Sequence, residues 1–390
     1  MDAMKGSATA VLLAVLVAAS AVTGSAAAAA TSGQGSTAMT DAQDGSAYAG
    51  THVSFDVRDD AVVNYAVGGD TALDSVTVQS ESETSGSVGA GVDLSAVTNV
   101  RGSALSLRSD VDVSAEISTE GAASMSAHDN DHGILVVNAG GEDQVVVANV
   151  SSGATAERKS DSRVEVTTAN GTEGTFIVVG NGSVTVNEAG DVSADLDGDS
   201  RLVFRAYPDE KSEQSEQTEE YIASGKATGE VYVEQRDGEV VADTVSYSED
   251  TAIEAEQSAE DTVSVAVDRA QEEGKIVVTS VSEAAVGSVS DLAVTVDGES
   301  AAEASSYSEL ESAIGGDSSK YVVEQSSSAD AKADVYVAVN HFSERQIEMT
   351  GSETTESGDD GGETGGDTPG FGVAAALVAV LAAALYALRQ

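Results

Sequence analysis

The sequence predicts an all-β protein, with two antiparallel β-sandwich domains between an N-terminal signal helix and a C-terminal transmembrane helix. Three observations lead to this prediction. Between the two ends, apolar and polar residues alternate with a period of two in many short segments, glycine-containing turn dipeptides separate these segments, and a single segment has a helix signature. Many short strands of this kind are typical of sandwiches. A β-solenoid is the alternative for the N-terminal part, because Ser80 to Ser126 alternates small polar and aliphatic residues.

The chain begins with a segment typical of a secretory signal peptide, which we assign to residues 1–30. An apolar stretch from Val11 to Val22 is followed by small residues from Ser25 to Ala30, where a signal peptidase can cleave. An uncleaved helix from Ala8 to Ala30 is the alternative. Residues 31–47 are rich in Gly, Ser and Thr, which predicts a flexible lead-in.

Two β domains are predicted, over residues 48–207 and 225–350. Segments that alternate apolar with polar or small residues are expected to be strands with one buried face; they are Val53–Val57, Val76–Val78, Val111–Val113, Val164–Val166, Val184–Val186, Val231–Val233, Val263–Val267, Val294–Val296 and Val335–Val339. Continuous apolar runs are expected to be strands covered on both faces; they are Ile134–Val137, Val145–Val147, Phe176–Val179 and Ile276–Val278.

Turn dipeptides between these segments favour tight hairpins, because Asn, Asp and Gly accept the positive φ that such turns require. The five clearest pairs are Asn170-Gly171, Asn181-Gly182, Asp197-Gly198, Asp237-Gly238 and Asp297-Gly298.

A segment from Pro208 to Ser224 separates the two predicted domains. Its run of Glu, Gln, Ser and Lys is too polar to be expected in a core, so it predicts an acidic linker over residues 208–224. An exposed helix within one larger domain is the alternative.

One short helix is predicted in the second domain. Ser306 and Glu309 have the spacing of a capping box, and Gly315 is placed to end the helix. The apolar face consists of Tyr307, Leu310 and Ile314. We expect this helix to close one end of a sandwich.

The last forty residues form a stalk and an apolar tail. Residues 351–368 contain acids, Gly and Thr without any base, which predicts an extended stalk. Phe371 to Leu388 is uncharged, and 18 residues of helix reach about 27 Å, which nearly spans a bilayer core of roughly 30 Å. Arg389 after this helix places its end on the cytoplasmic side, so that the rest of the chain faces outward.

This ending resembles the PGF-CTERM sorting signal of haloarchaeal surface proteins. The resemblance rests on the stalk, on the tripeptide Pro369, Gly370 and Phe371, on the apolar helix and on the basic end, so that the signal covers residues 369–390. It implies recognition by an archaeosortase, removal of the tail helix near the tripeptide and attachment of a membrane lipid. The basic end departs from the usual small cluster, since it is the single Arg389. An ordinary single-pass transmembrane anchor is the alternative.

The strongly negative net charge of the chain agrees with the resemblance to haloarchaeal proteins. The 67 acidic residues against 18 basic ones give a net charge of −49, and like charges at this density push a compact fold apart in dilute buffer. At about 1 M salt the Debye length falls to about 3 Å, so the repulsion is screened. We therefore predict a halophilic protein. Nucleic acid is excluded as a partner, because no basic surface is available to meet phosphate.

The sequence contains no motif that predicts an enzyme or a cofactor. There is no cysteine, which excludes disulfides and thiolate chemistry. Neither a G-x-S-x-G elbow nor an H-E-x-x-H helix or a P-loop occurs.

Two segments are candidates for metal sites. In residues 128–132 the side chains of His128, Asp131 and His132 combine imidazole with carboxylate, which suits a divalent transition metal. A polar turn before the strand at Ile134 is the more ordinary interpretation. Asp195, Asp197 and Asp199 have the spacing that opens a calcium loop, but the residues that should follow are absent, so we predict a hairpin turn there.

Three sequons suit an exported protein. Asn149, Asn170 and Asn181 each precede Ser or Thr by two positions, and we predict that at least one carries a glycan.

These features together predict a non-enzymatic protein that is exported, anchored to the cell membrane and held on its extracellular face. A structural or adhesive role in the envelope, in contact with surface-layer protein or glycan, fits the export signals and β domains best. The alternatives are an extracellular polymer hydrolase, with acids hidden among the many carboxylates, and a capture module for a solute or metal.

Overall fold

The computed structural model of the protein describes residues 46–58, 60–88, 93–111, 113–208, 210–325 and 332–351. The predicted signal peptide and sorting signal lie outside these residues. The lead-in and the stalk do as well, except that Ser46 and Ala47 begin the first strand and Gly351 ends the last one. Among the described residues no helix has the length and apolar character needed to cross a membrane.

Residues 46–207 form a first β-sandwich. Its strands in chain order are β1 (Ser46–Ala49), β2 (Val53–Arg58), β3 (Ala61–Val67), β4 (Asp70–Ser80), β5 (Leu105–Val111), β6 (Ser114–Thr119), β7 (Ser124–His128), β8 (Leu135–Asn138), β9 (Gln144–Val150), β10 (Thr155–Arg158), β11 (Arg163–Thr167), β12 (Glu173–Val179), β13 (Gly182–Val186), β14 (Val192–Leu196) and β15 (Arg201–Tyr207). Sheet I has the order β1-β2-β3-β4-β9-β14-β13, and sheet II has the order β10-β11-β12-β15-β8-β7-β6-β5.

The core of this sandwich lies between sheets I and II. In β2 the side chains of Val53, Phe55 and Val57 are buried while their neighbours are more exposed, as the period of two predicts. They contact a cluster that includes Phe176 and Phe204 from sheet II. The two sheets therefore hide their apolar faces against each other.

Residues 227–351 form a second sandwich. Its strands are β16 (Ala227–Arg236), β17 (Glu239–Ser246), β18 (Thr251–Ala259), β19 (Thr262–Arg269), β20 (Glu273–Ser282), β21 (Leu292–Val296), β22 (Glu299–Ser300), β23 (Ala302–Glu303), β24 (Lys320–Gln325), β25 (Lys332–His341) and β26 (Glu344–Gly351). Sheet III has the order β17-β16-β20-β25-β24-β23, and sheet IV has the order β18-β19-β26-β21-β22. Pairing is antiparallel except between β16 and β20 and between β23 and β24.

Four short helices and one 3₁₀ turn complete the described residues; they are α1 (Glu81–Val88), the 3₁₀ turn (Leu94–Ala96), α2 (Glu213–Ala223), α3 (Glu283–Val286) and α4 (Tyr307–Glu311). The predicted all-β sandwich architecture is confirmed. The solenoid alternative fails for Ser80 to Ser126, because β5, β6 and β7 pair as antiparallel neighbours instead of stacking in parallel coils.

The segment predicted as a linker contains α2, so the expectation that it is too polar to pack is wrong. Tyr221 and Ile222 of this helix are fully buried. Glu219 is buried as well, because Lys211 lies 2.9 Å from its Oε1 atom and the Tyr207 hydroxyl donates a hydrogen bond of 2.8 Å to the same atom. Paired charges of this kind can enter a core that isolated charges cannot. The division into two domains at this segment stays a prediction.

The predicted short helix is confirmed as α4. The Ser306 side chain accepts a hydrogen bond from the Glu309 amide, and Leu310 is buried. Gly315 follows with a φ of 70°, which glycine adopts without strain. The helix packs on β24 and β25 of sheet III, and Leu310 belongs to the apolar cluster that both sandwiches share. That the helix closes one end of a sandwich stays a prediction.

Two strand-level predictions are wrong. β5 ends at Val111, which pairs with Ser114 at the start of β6, so Val111–Val113 is not the predicted single strand. Asn181-Gly182 and Asp197-Gly198 connect strands of different sheets and do not close hairpins. The same turn dipeptide can close a hairpin or connect two sheets, and only the pairing of the flanking strands distinguishes these two cases.

Candidate functional site

The two sandwiches meet where sheet II faces sheet III, and we call this region the junction. Its apolar part includes Ile177, Val179 and Val203 from sheet II and Val278, Tyr336 and Ala338 from sheet III. Polar groups lie within the same interface and are described below. The junction is the candidate site because it collects most of the buried charges of the described residues.

A buried ion pair crosses the junction between Arg205 of β15 and Glu230 of β16. The side chains are 5% and 2% exposed. The Tyr247 hydroxyl donates to Glu230 Oε1 over 2.7 Å, and the Tyr232 hydroxyl donates to Oε2. Burial raises the pKa of both tyrosines, so their hydroxyls stay protonated and can donate these hydrogen bonds. Each oxygen of the carboxylate is therefore satisfied inside the interface.

A second buried carboxylate, Asp129, holds the turn between β1 and β2. It accepts hydrogen bonds of 2.7 Å from the backbone amides of Thr51, His52 and Val53. Arg236 of β16 lies 2.9 Å from its Oδ2 atom. Successive amides that point at one anion form a nest. Asp129 thus connects this turn to the second sandwich.

His128 and Asn130 flank Asp129, and both contact Asp243 of β17. His128 Nδ1 lies 2.8 Å from Asp243 Oδ1, and the side-chain amide of Asn130 donates a hydrogen bond of 2.8 Å to Asp243 Oδ2. Asp243 is 4% exposed. These contacts add a further polar link between the sandwiches.

His132 has a different environment. Its Nδ1 atom lies 2.9 Å from the carbonyl oxygen of Ala206, and its ring contacts the rings of Tyr207 and Tyr232. Burial and the nearby Arg205 lower the pKa of His132 to about 3. The ring is therefore neutral, and its Nδ1–H group donates a hydrogen bond to the carbonyl oxygen.

At the rim of the junction, His52 and Asp131 from the first sandwich face Glu234 and Lys332 from the second. His52 Nε2 lies 3.4 Å from Asp131 Oδ1 and 3.6 Å from Glu234 Oε1. Lys332 contacts Asp131 Oδ2 and lies 3.4 Å from Glu234 Oε2. Arg236 binds Glu234 Oε1 at 2.6 Å. We call His52, Asp131 and Glu234 the rim triad.

The rim triad shifts the pKa values of its members. Glu234 is the largest cause of a raised pKa for His52, so the protonated ring stabilises the junction at low pH and this contribution is lost as pH rises through that pKa. Burial opposes ionisation of Glu234, but His52 and Arg236 outweigh it and lower the pKa of Glu234 to about 2. Its carboxylate is therefore charged throughout the neutral range.

The structure does not bring the three predicted metal candidates together. His128 contacts Asp243, His132 contacts Ala206, and Asp131 belongs to the rim triad. The turn interpretation is supported, because the Gly133 amide donates to the Asn130 carbonyl over 2.9 Å. Among the described residues the rim triad is the group of His, Asp and Glu side chains close enough to share a metal. The sequence concealed it, because His52 and Glu234 lie far from Asp131 along the chain.

A turn is present at Asp197-Gly198, with the Ser200 amide donating to the Asp197 carbonyl over 2.8 Å, but it connects sheets I and II and is not the predicted hairpin. Asp195 lies in β14, and its pKa is raised first by burial and then by nearby carboxylates. These belong to Glu81, Asp197 and Asp143. These four carboxylates therefore repel one another.

The three sequons differ in accessibility. Asn170 and Asn181 are exposed on connections that follow β11 and β12, whereas Asn149 is half-buried within β9. The Asn170 amide contacts Asp70. An enzyme that transfers a glycan reaches connections more easily than a strand in the middle of a sheet, so glycosylation remains a prediction that favours Asn170 and Asn181.

Comparison with known proteins identifies the C-terminus. Residues 368–390 match the model of the PGF-CTERM motif. This match supports a C-terminally processed, membrane-anchored surface protein and processing by an archaeosortase. Among curated proteins, none matches the chain in sequence.

One similar solved structure is described as "Active YidC insertase crystal structure with the first transmembrane domain resolved". The TM-score is 0.25 at 8% identity, and the alignment covers 46% of this chain and 42% of that chain. The chain thus matches less than half of that structure. A score this low supports no conclusion about fold or activity.

Proposed function

We propose that this chain is an exported surface protein of a halophilic archaeon, anchored at its C-terminus on the extracellular face of the membrane, with a structural or adhesive role in the cell envelope. The PGF-CTERM motif at residues 368–390, preceded by the acidic stalk, carries this proposal. The two joined sandwiches support it, since β-sandwiches are common in cell-surface domains. This similarity to cell-surface domains is one of architecture and does not identify an activity.

Intact mass spectrometry of the protein extracted from its own membranes tests the anchoring. We expect a mass below the 39.2 kDa of the full chain after glycan removal, because both ends are lost and only a lipid is added. Phe371→Ala should retain the tail, whereas Gly366→Ala in the stalk should be processed like the wild type. A tail retained in the wild-type protein would contradict processing and indicate a plain transmembrane anchor.

Spectra of the same protein recorded before glycan removal test the sequons. Glycan mass should fall in Asn170→Gln or Asn181→Gln, and Asn149→Gln should leave it unchanged because this side chain is half-buried in β9. A wild-type mass equal to that of the bare processed polypeptide would refute glycosylation.

Salt dependence tests the halophilic part of the proposal. We expect the full-length protein to lose cooperative structure when salt falls from molar to tens of millimolar, since repulsion within a chain of net charge −49 is then unscreened. The crowded carboxylates around Asp195 are one place where this repulsion acts. Far-UV circular dichroism during dialysis measures the loss, and returning the salt is the control for reversibility. An unchanged spectrum at low salt would contradict the halophilic interpretation.

A further inference from the structure

We propose that the rim triad of His52, Asp131 and Glu234 binds a divalent transition-metal ion that links the two sandwiches. This inference concerns a site on the folded β structure and does not depend on how the chain is anchored or on its role in the envelope.

The separations between the ligand atoms fit an ion better than direct hydrogen bonds. His52 Nε2 lies 3.4 Å from Asp131 Oδ1 and 3.6 Å from Glu234 Oε1, and all three atoms lie within 4.8 Å of one another. A good N–H···O hydrogen bond is about 2.7–3.2 Å long. Ligands bound at about 2.1 Å around a tetrahedral ion are separated by about 3.4 Å.

The chemistry of the three side chains selects the kind of ion. One imidazole with two carboxylates is a ligand set for zinc or a similar divalent transition metal, whereas calcium and magnesium prefer oxygen alone. The side chains of His52 and Asp131 are 28% and 37% exposed, so an ion can enter from solvent. Three protein ligands leave a coordination position for water.

The surrounding structure holds the ligands in place. The His52 amide is bound by Asp129, and Glu234 lies in β16, where it pairs with Val241 of β17. Asp131 follows β7 in the turn closed by Asn130. Because His52 and Asp131 belong to the first sandwich and Glu234 to the second, a bound ion would add a bond across the junction.

Two cations border the site and set its affinity. Lys332 contacts Asp131 Oδ2 and faces Glu234 Oε2, so it uses the carboxylate oxygens that the ion would leave free. Arg236 binds Glu234 Oε1, which is the same atom that would bind the ion. Their charges oppose a divalent ion, and removing the charge of Lys332 should therefore tighten binding.

The test uses the full-length protein, stripped of metal with EDTA and titrated with Co²⁺ as a spectroscopic probe and with Zn²⁺ in thermal unfolding. We expect saturable visible absorption by Co²⁺ and a rise in melting temperature with Zn²⁺. His52→Ala should weaken Co²⁺ binding at least tenfold, by loss of a ligand. The matched control is His341→Ala, at an exposed histidine of β25, which should bind as the wild type does. Lys332→Gln should bind severalfold more tightly.

Three results would overturn the proposal. The first is the absence of saturable Co²⁺ binding, and the second is binding that His52→Ala leaves unchanged. The third is a wild-type protein that ignores Zn²⁺ but loses stability with rising pH, in a way that His52→Ala abolishes. That result would identify His52 as a protonated ion-pair partner of Asp131 and Glu234.

Discussion

Replacing Asp129 with Asn is expected to lower the free energy of unfolding by about 3 kcal/mol, because it takes an acceptor from buried backbone amides and weakens the contact with Arg236. The Asp129 carboxylate is fully buried and accepts three backbone amides besides Arg236. An Asn side chain keeps one acceptor oxygen and turns its NH₂ group toward donors. At least one of the three amides is then left without an acceptor, whereas Arg236 keeps Glu234 as its partner.

Gly50 offers a second way to break the same contact. A Cβ atom at this position would overlap the Asp129 carboxylate, so Gly50→Ala should also force the carboxylate out of the turn. The backbone of Gly50 does not have a positive φ, so steric overlap with Asp129 is the expected cause of the loss. Both variants should therefore destabilise the turn between β1 and β2.

Urea unfolding of the full-length protein at constant high salt measures these losses. Asp161→Asn is the matched control: its side chain is 88% exposed and pairs with Arg158, and the change should stay within about 0.5 kcal/mol. If Asp129→Asn unfolds at the same urea concentration as Asp161→Asn, the assigned role of Asp129 is wrong.

The second large effect is expected at the ion pair between Arg205 and Glu230. Glu230→Leu leaves the guanidinium buried without a counter-charge and should cost about 3–5 kcal/mol. Arg205→Met should be similar, since it leaves the carboxylate uncompensated. The double variant should be more stable than Glu230→Leu, because neither charge remains. It should stay below the wild type, since the hydroxyls of Tyr232 and Tyr247 lose their acceptor.

Calorimetry distinguishes loss at the junction from general loss of stability. Arg205 and Glu230 belong to different sandwiches, so the single variants should separate one unfolding transition into two. Val265→Ala, in the core between sheets III and IV, is the control, because it should lower stability without affecting the junction directly. Additive effects of the two single changes would contradict a direct interaction between Arg205 and Glu230.

Much of the fold could be predicted because strand periodicity is a local signal. Valines at alternate positions, as in Val263–Val267, identify a strand with one buried face whatever its partners are. Partners are not a local property. Asn170-Gly171 closes a hairpin and Asn181-Gly182 crosses between sheets, although the two dipeptides are identical.

The segment with α2 shows why polarity alone misleads. The polarity of this segment predicts that Glu219 lies in solvent, because no local pattern indicates that Tyr207 and Lys211 contact it. The rim triad was missed for a similar reason. The prediction placed Asp131 with its neighbours His128 and His132, whereas folding brings it to His52 and Glu234. Clusters assembled from distant segments become visible only once the strands are paired.

The position of the last strand determines when the second sandwich can fold. β26 lies inside sheet IV, between β19 and β21, and ends at Gly351 immediately before the stalk. A chain that emerges from its N-terminus first cannot complete this sheet until Gly351 is free of the ribosome or of the export channel. The first sandwich, whose strands all precede Pro208, can close earlier. Synthesis from the N-terminus therefore orders the assembly, and the second sandwich is completed last.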